Sequence, residues 1–453
     1  MAKEQRRRLP RSRDRGRGRS AGPRPGRQHA LGSRDRRPAG ARPPDARPLL
    51  DRGAPRRSGA VRARAAHLTH GPARRGPRLP RLRRGGARPS LPPRQPPRRS
   101  VDMTAGPAAS AKWAFTTRRA RRADAAALDA DIAATQAGDL VLARVERVGS
   151  HKRLQLAEGG FSDLWEGDLI VAACGDRYAA DQFEGRAAIA PEGCDLLAGG
   201  GVLGLLEARH DRMGAPTRLA PIGRLADAAG ATLTLGRYAR SRPERARPET
   251  VIGVVGTGMN AGKTTAAAAL IRGLSAAGFR AAGLKATGTG AFGDIQAYAA
   301  AGAAFAADFT EDGLASTYRQ TPERVRTALD ALLGHAEAAG CETAVVEIAD
   351  GLLQPETSAL LAGEARARFD GVLFAAGDAL SALGGLAALE RFALRPLAVT
   401  GLLTRSPLAV REAGTASDAW ILGRDALADP ACATALLAEA RMAGLGGAIE
   451  IAA

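Results

Sequence analysis

The sequence of 453 residues contains a single asparagine and only five lysines, although 61 arginines supply abundant positive charge. Its four cysteines are dispersed and form no CxxC pair, which argues against a zinc knuckle or disulfide framework and suits a reducing cytoplasm. The three histidines after residue 102 are too scattered in sequence to predict a metal cluster. No apolar run reaches about 18 residues, so neither a membrane span nor a secretory signal is expected.

Positive charge is concentrated in the first 102 residues. This leader has 31 basic and six acidic residues, a net charge of +25, whereas the whole chain is +20 and residues 103–453 therefore carry −5. The leader also holds 16 of the 27 prolines and has no Ile, Phe, Tyr, Trp or Cys. Such a segment cannot bury enough apolar surface to offset chain entropy, so we expect it to be disordered.

Three interpretations of this leader compete. An arginine-rich arm could bind nucleic acid through phosphate charge. An organelle transit peptide is a second reading, but dense Pro and Gly oppose the amphipathic helix that it needs. We favour a third, in which translation begins at Met103 after a GC-rich reading frame, because no aromatic interleaving supports a nucleic-acid partner.

Residues 103–239 are predicted to form a β-rich N-terminal module, with a helical or loose lead-in to residue 137 and a small barrel over about 138–238. Turn residues followed by β-branched runs indicate strands. The predicted strands lie at 138–149, 167–176, 200–210 and 231–239. The two GDL openings, at 138 and 167, are interpreted as hairpin turns. The charged, proline-containing stretch 240–249 is interpreted as a linker.

Strands and helices alternate over residues 249–453, which predicts an α/β domain with a mostly parallel sheet covered by helices on both faces. The predicted strands are 250–256, 280–285, 343–348, 370–376 and 396–403. The predicted helices are 264–277, 321–339, 378–393 and 429–443. The first is expected to end at Gly278, and the second has Thr321 as its N-cap and Pro322 in its first position.

The segment GTGMNAGKTT joins the first strand of this domain to its first helix, the context that a phosphate-binding loop requires. Its glycines allow tight turns, so several N–H groups can point at one phosphate beside a helix N-terminus. Lys263 is then expected to reach the β- and γ-phosphates, Thr264 to hold Mg²⁺ and Thr265 to meet the α-phosphate. The predicted nucleotide-binding residues are Gly256, Thr257, Gly258, Met259, Asn260, Ala261, Gly262, Lys263, Thr264 and Thr265.

With Gly256 seven positions before Lys263, the loop reads G-x5-GKT and resembles that of dethiobiotin synthetases. These belong to the SIMIBI class of P-loop NTPases, which also holds MinD-like ATPases and metallocofactor-assembly GTPases. NAGKTT is similar to the NSGKTT of the adaptor protein B of molybdopterin-guanine dinucleotide biosynthesis. Gly258 stands where MinD-type proteins have a second, dimer-bridging lysine, so a homodimer of that sandwich kind is less expected.

The resemblance to dethiobiotin synthetases implies further site residues. The segment GLKATGTGAFGD looks like their K-P-x-x-S-G strand end, which implies substrate and γ-phosphate contacts for Lys285, Thr289 and Gly290. Asp294 is similar to a magnesium-binding aspartate of that family, but it could equally be the N-cap of the helix that follows.

The predicted strand 343–348 has an acid, Glu347, near its carboxyl end, which resembles a Walker B arrangement and places a carboxylate beside Mg²⁺. Glu347 matches the glutamate of the family's V-E-G-A-G-G segment, and Asp350 is a second candidate. EIADG lacks the paired glycines of the family's substrate pocket, which puts the biotin-pathway reaction in doubt. Lys263, Lys285 and Glu347 are the predicted catalytic residues, and Thr264, Asp294 and Glu347 the metal ligands.

No NKxD guanine motif occurs, so ATP is preferred over GTP. The family's base-recognition segment resembles GLLTRSP, which implies Thr404 and Pro407 as base contacts. We therefore expect a cytoplasmic enzyme that uses Mg·ATP and hydrolyses it or transfers its γ-phosphate to a small carboxylate-bearing substrate. Two alternatives stay open: a metallocofactor-assembly adaptor, and a relative of D-glutamate N-acetyltransferase whose loop binds acyl-CoA or phosphate.

Overall fold

The computed structural model of the protein describes residues 100–102, 107–241, 243 and 246–451. Met103 and the expected disordered leader, apart from its last three residues, lie outside these ranges. Within them, every helix is too short or too polar to traverse a lipid bilayer.

The C-terminal part is built on six parallel strands, as the alternating pattern predicts. The strands β12 to β17 are Thr250–Gly256, Ala281–Lys285, Phe305–Asp308, Thr343–Glu347, Gly371–Ala375 and Ala398–Thr400, in the spatial order β14-β13-β15-β12-β16-β17. The helices α2 to α9 are Lys263–Ala276, Phe292–Ala300, Pro322–Ala338, Pro355–Ala362, Ala379–Glu390, Pro407–Ala416, Arg424–Ala428 and Pro430–Ile451.

Helices cover both faces of this sheet, because its central strand is apolar on both sides. Along β12, Val251 and Val255 join one core with residues of α4, α5, α6 and α7. Ile252 and Val254 point the other way and join a second core with residues of α2, α3, α8 and α9. A strand buried on both faces reads as a continuous apolar run, which is why TVIGVVG predicted it.

Helix boundaries follow the expected capping chemistry. Helix α2 ends at Ala276, and Gly278 adopts the positive φ of +94° that suits a helix C-terminus. The Thr321 side chain accepts from the Arg324 amide at the start of α4, and Pro322 occupies the first turn. Both predicted signals are confirmed.

The N-terminal module contains the short helix α1, Pro107–Ser110, and eleven strands in the described part of the chain. Strands β1 to β11 are Ser100–Asp102, Lys112–Trp113, Ala127–Asp129, Leu140–Arg147, Arg153–Gln155, Phe161–Asp163, Leu169–Cys174, Phe183–Arg186, Cys194–Ala198, Val202–Arg209 and Thr217–Ala226. Nine of them form one sheet, while β5 and β6 pair separately.

Pairing within that sheet forms a closed series. Strand β4 pairs with β7 and β11, β7 with β10, β10 with β9, and β9 with β11. Gly138 and Gly167, the first residues of the two GDL segments, have φ near +90° and stand at opposite ends of the β4–β7 pair. Their amides donate to the carbonyls of Cys174 and Val145. Both glycines lie in turns, as their positive φ suits, but neither turn joins two consecutive strands that pair with each other, so the hairpin interpretation is wrong.

Three expectations for individual segments need correction. Residues 231–239 form isolated bridges at Thr232 and Thr234, followed by a 3₁₀ turn at Leu235–Tyr238, because the Thr234 side chain accepts from the amide of Arg237. The lead-in 103–137 contributes strands β2 and β3 to the sheet. Helix α3 begins at Phe292 with Ala291 as N-cap, so Asp294 lies in the first turn and the N-cap reading is wrong.

The module packs directly against the carboxyl end of the parallel sheet. A Cβ on Gly200 would stand 2.0 Å from the carbonyl oxygen of Gly290, so these two backbones touch. The Gln155 side chain accepts from the Phe292 amide at 2.8 Å. Asp308, the last residue of β14, and Glu311, just after it, both pair with Arg118 of the module. These contacts hold a wall of the module over the strand ends.

Candidate functional site

The predicted phosphate loop connects β12 to α2, where parallel strands meet helix N-termini. Its path depends on backbone conformations that few residues adopt: Asn260 has φ +61° and Gly262 has φ +100°. A Cβ on Gly256 would stand 2.9 Å from Cγ of Lys263, so the lysine side chain lies against the strand end. Lys263 is 5% exposed and donates from Nζ to the Gly258 carbonyl at 2.8 Å.

Three oxygen-bearing side chains meet at the start of α2. The Thr264 hydroxyl lies 2.9 Å from Oδ1 of Asp294 and 3.2 Å from Oε1 of Glu347. Tyr298, fully buried on α3, donates its hydroxyl to the other Glu347 oxygen. Strand β15 brings Glu347 here because it lies beside β12 in the sheet.

Lys285, at the end of β13, is the cation of this cluster. Its ammonium forms an ion pair with Asp294, and its Cα is in register with Glu347 across β13–β15. Burial acts to lower the pKa of Lys285, but the carboxylates of Asp294 and Glu347 outweigh it, so the pKa is raised and the side chain stays charged. Burial lowers the pKa of Lys263, with Glu347 opposing.

This donor set fits magnesium. Hydroxyl and carboxylate oxygens are the ligands that Mg²⁺ prefers, and the ion usually takes one or two carboxylates together with substrate phosphates. In the described ranges no three His, Cys, Asp or Glu side chains converge on a metal-sized site. Thr264, Asp294 and Glu347 would therefore hold the ion only together with a bound phosphate.

A cleft of about 780 Å³ opens above these residues. From the phosphate loop, Met259, Asn260, Gly262, Lys263, Thr264 and Thr265 line it, together with Lys285, Thr289, Asp294 and Glu347. The other four predicted residues of the loop do not line the cleft; they are Gly256, Thr257, Gly258 and Ala261.

Other predicted residues occupy different positions. Gly290 donates its amide to the Ala315 carbonyl and packs against Gly200, and it does not itself line the cleft. The Thr404 hydroxyl donates to the Gly401 carbonyl at 2.8 Å, and Pro407 starts α7. The substrate role of Gly290 and the base contacts of Thr404 and Pro407 stay predictions.

Asp350 also lines the cleft, just beyond β15. Burial raises the pKa of its carboxyl, against the opposing effects of Lys263, Lys285 and Arg177. The last of these three cations belongs to the N-terminal module, so the carboxylate lies between the two walls of the cleft.

The opposite wall comes from the N-terminal module and was not foreseen. It includes His151, Lys152, Arg153 and Arg177. Asn260 of the phosphate loop donates to Asp181 of the module at 2.5 Å, which ties the two walls together. The scarcity of lysine in the sequence was a signal for the cleft residues, because three of the four lysines after residue 102 line this one cleft. The loop carrying Arg177 had no comparable signal.

Comparison with known proteins adds little. No family model and no curated protein sequence matches the chain. Among solved structures it is similar to the signal recognition particle receptor FtsY from Elizabethkingia anophelis, with 14% identity, a TM-score of 0.25, and coverage of 42% of this chain and 56% of that chain. It is also similar to the signal recognition particle 54 kDa protein from Aeropyrum pernix K1 in complex with GDP, with 19% identity, a TM-score of 0.29, and coverage of 45% and 49%.

A LAO/AO transport system kinase gives 16% identity and a TM-score of 0.28, with coverage of 48% of this chain and 68% of that chain. The chain thus spans about half the length of the first of these proteins. At such TM-scores, the likeness assigns neither a family nor an activity.

Proposed function

We propose that the protein binds a magnesium nucleoside triphosphate in the cleft, ATP in preference to GTP, and transfers the γ-phosphate to water or to a small carboxylate-bearing substrate. The phosphates would lie over the loop at residues 256–265, and the substrate near Lys285 and Thr289.

One observation carries the proposal. The Thr264 hydroxyl, the first side-chain oxygen of α2, lies within hydrogen-bond distance of both Asp294 and Glu347. A hydroxyl and two carboxylates at a helix N-terminus form the set that holds Mg²⁺ between protein and phosphates. Three separate elements, α2, α3 and β15, supply these groups. Simple surface residues would not converge in this way.

The remaining residues have roles that follow from charge and burial. Lys263 would exchange its contact with the Gly258 carbonyl for phosphate oxygens, since an ammonium bonds an anion more strongly than a neutral carbonyl. Lys285 would stabilise negative charge that develops on the transferred group. Magnesium, when bound, would neutralise part of the phosphate charge, and the module wall over the cleft would limit access of water.

The closed series of strand pairs also supports a proposal about the module. We propose that the module, residues 103–239, contains a small barrel over about 138–238 whose wall recognises the second substrate, and that the nucleotide domain spans residues 249–453. The pairings of β4, β7, β10, β9 and β11 support the barrel.

Nucleotide binding by the full chain tests the proposal. Fluorescent ATP and GTP analogues are titrated with magnesium and with EDTA, and turnover is followed by phosphate release. We expect Lys263→Ala to weaken binding at least about tenfold, as for loss of charge-assisted hydrogen bonds. The matched control is Arg272→Ala, an exposed cation on the same helix, which should bind normally. Unchanged affinity in Lys263→Ala, or absent turnover together with tight acetyl-CoA binding, would refute it.

A further inference from the structure

The two walls of the cleft differ in charge. Among the described residues, the C-terminal wall has two cations, Lys263 and Lys285, facing three carboxylates. The thirteen lining residues of the N-terminal module include three cations, Lys152, Arg153 and Arg177, and no carboxylate. The module wall therefore presents positive charge for which its own lining residues offer no counterion.

Arg177 is the most deeply placed of these cations. It is 6% exposed, and its guanidinium makes one side-chain hydrogen bond in the described structure, to the neutral amide of Gln182 at 2.8 Å. Its buried Nε has no partner among the described residues. Asp350 and Asp181 attract it only through longer-range charge, while burial dominates and lowers the pKa of Arg177 to about 10. A buried guanidinium with unused donors has room to bind an anion.

The backbone around Arg177 holds this guanidinium in place. Its amide donates to the Gly185 carbonyl and its carbonyl accepts from the Gly185 amide, both near 3 Å. Asp181, four residues on, accepts from Asn260 of the phosphate loop. The backbone that carries Arg177 is thus fixed relative to the phosphate loop, and Gln182 holds the guanidinium. Preorganised donors bind anions without a cost for reordering.

Arg153 and Lys152 extend the positive wall toward solvent. The Arg153 guanidinium lies 4.5 Å from the ring centroid of Phe161, which in turn packs edge-on against Phe292 of the C-terminal part. This stack holds Arg153 at the cleft mouth. His151, beside them, has a buried Nδ1 without a partner in the described residues and adds a neutral polar atom to the same wall.

We propose that Arg177, with Lys152 and Arg153 at its rim, forms an anion subsite that is separate from the phosphate loop and takes the carboxylate or phosphate group of a second, acidic substrate. The inference rests on the proposed function for the presence of a nucleotide. It adds the residues of the module wall that would hold the anionic group of that substrate, across the cleft from Lys285 and Thr289.

The test uses the full chain saturated with Mg²⁺ and a non-hydrolysable triphosphate analogue, so that the γ-phosphate position is filled. Inorganic phosphate and succinate are then titrated separately by calorimetry. We expect at least one of them to bind, with affinity falling at least about tenfold in Arg177→Met and less in Arg177→Lys, which keeps the charge. The matched control is Arg147→Ala, an exposed module arginine outside the cleft, which should bind like wild type.

Several results would overturn the proposal. The first is that wild type binds neither anion. The second is that Arg177→Met binds the anions as tightly as wild type does. The third is that Arg177→Met loses affinity for the triphosphate analogue but not for ADP, which would assign Arg177 to the γ-phosphate. Lys152→Ala, an exposed position, provides a second variant if Arg177→Met does not fold. If no nucleotide binds wild type, the proposed function fails, and the anions are titrated onto nucleotide-free Lys263→Ala protein to test the subsite by itself. The anion that depends on Arg177 identifies the substrate group.

Discussion

The ion pair between Lys285 and Asp294 gives a quantitative prediction for the ligand-free protein. The side chains of Lys285 and Asp294 are 11% and 18% exposed, and Glu347 beside them is buried as well. Lys285→Met removes the ammonium and leaves two neighbouring carboxylates without it. Asp294→Asn removes one carboxylate and leaves the ammonium with less compensation.

Breaking a buried pair by removing one partner typically costs about 3–5 kcal/mol, because the remaining charge stays buried. We expect each single variant to lose stability in that range. The double variant should lose less than the sum of the two, by at least about 2 kcal/mol, since it leaves neither partner uncompensated. Because the folded-state pKa of Lys285 is raised, its contribution is complete below the unfolded pKa of about 10.4 and is lost only as pH rises through the folded value.

Urea unfolding of the full chain at pH 8, followed by circular dichroism, measures these free energies. The control is Lys112→Met, which removes a lysine whose ion pair with Asp168 is more exposed, at 26% and 23%. That loss should cost no more than about 1 kcal/mol. Strict additivity of Lys285→Met and Asp294→Asn, or a Lys285→Met cost equal to that of Lys112→Met, would refute the reasoning.

Two further predictions concern the module. Burial lowers the pKa of His151 to about 4. As pH drops from about 6.5 to 4, the unfolded chain takes up the proton first, so the free energy of unfolding should fall by about 3 kcal/mol. Urea unfolding at several pH values should show a smaller fall in His151→Phe. Gly200→Ala would place a Cβ 2.0 Å from the Gly290 carbonyl oxygen. This clash should weaken the packing between the N-terminal module and the C-terminal part by about 1–3 kcal/mol. The expected readout is faster tryptic cleavage in the predicted linker 240–249.

Each of these has a clear contrary result. An unchanged pH dependence in His151→Phe would mean that another group titrates in that range. For Gly200→Ala the control is Gly414→Ala, where the new methyl group meets open space. Equal cleavage rates in the two glycine variants would show that Gly200 does not limit the packing.

The sequence determined those parts of the fold and site that depend on local chemistry. The apolar run of β12, the glycines and Lys263 of the phosphate loop and the Thr321–Pro322 start of α4 follow from the preferences of consecutive residues, and the structure has them where predicted. The convergence of Thr264, Asp294 and Glu347 could be anticipated because the carboxyl ends of parallel strands meet at one edge of the sheet. Two other segments were predicted less well. Strand β14 was not predicted, and the residues of the expected strand at 231–239 form isolated bridges and a turn.

Only the tertiary structure decided which residues distant in sequence meet these groups. Tyr298 meets Glu347, and Arg177 faces the phosphate loop, although 49 and 86 residues separate them from Glu347 and Lys263 in sequence. No local preference encodes such contacts, because the first depends on how α3 packs on the parallel sheet and the second on where the module packs. The single asparagine, Asn260, illustrates both contributions: its place in the phosphate loop follows from the sequence, and its partner, Asp181 of the N-terminal module, follows from the fold.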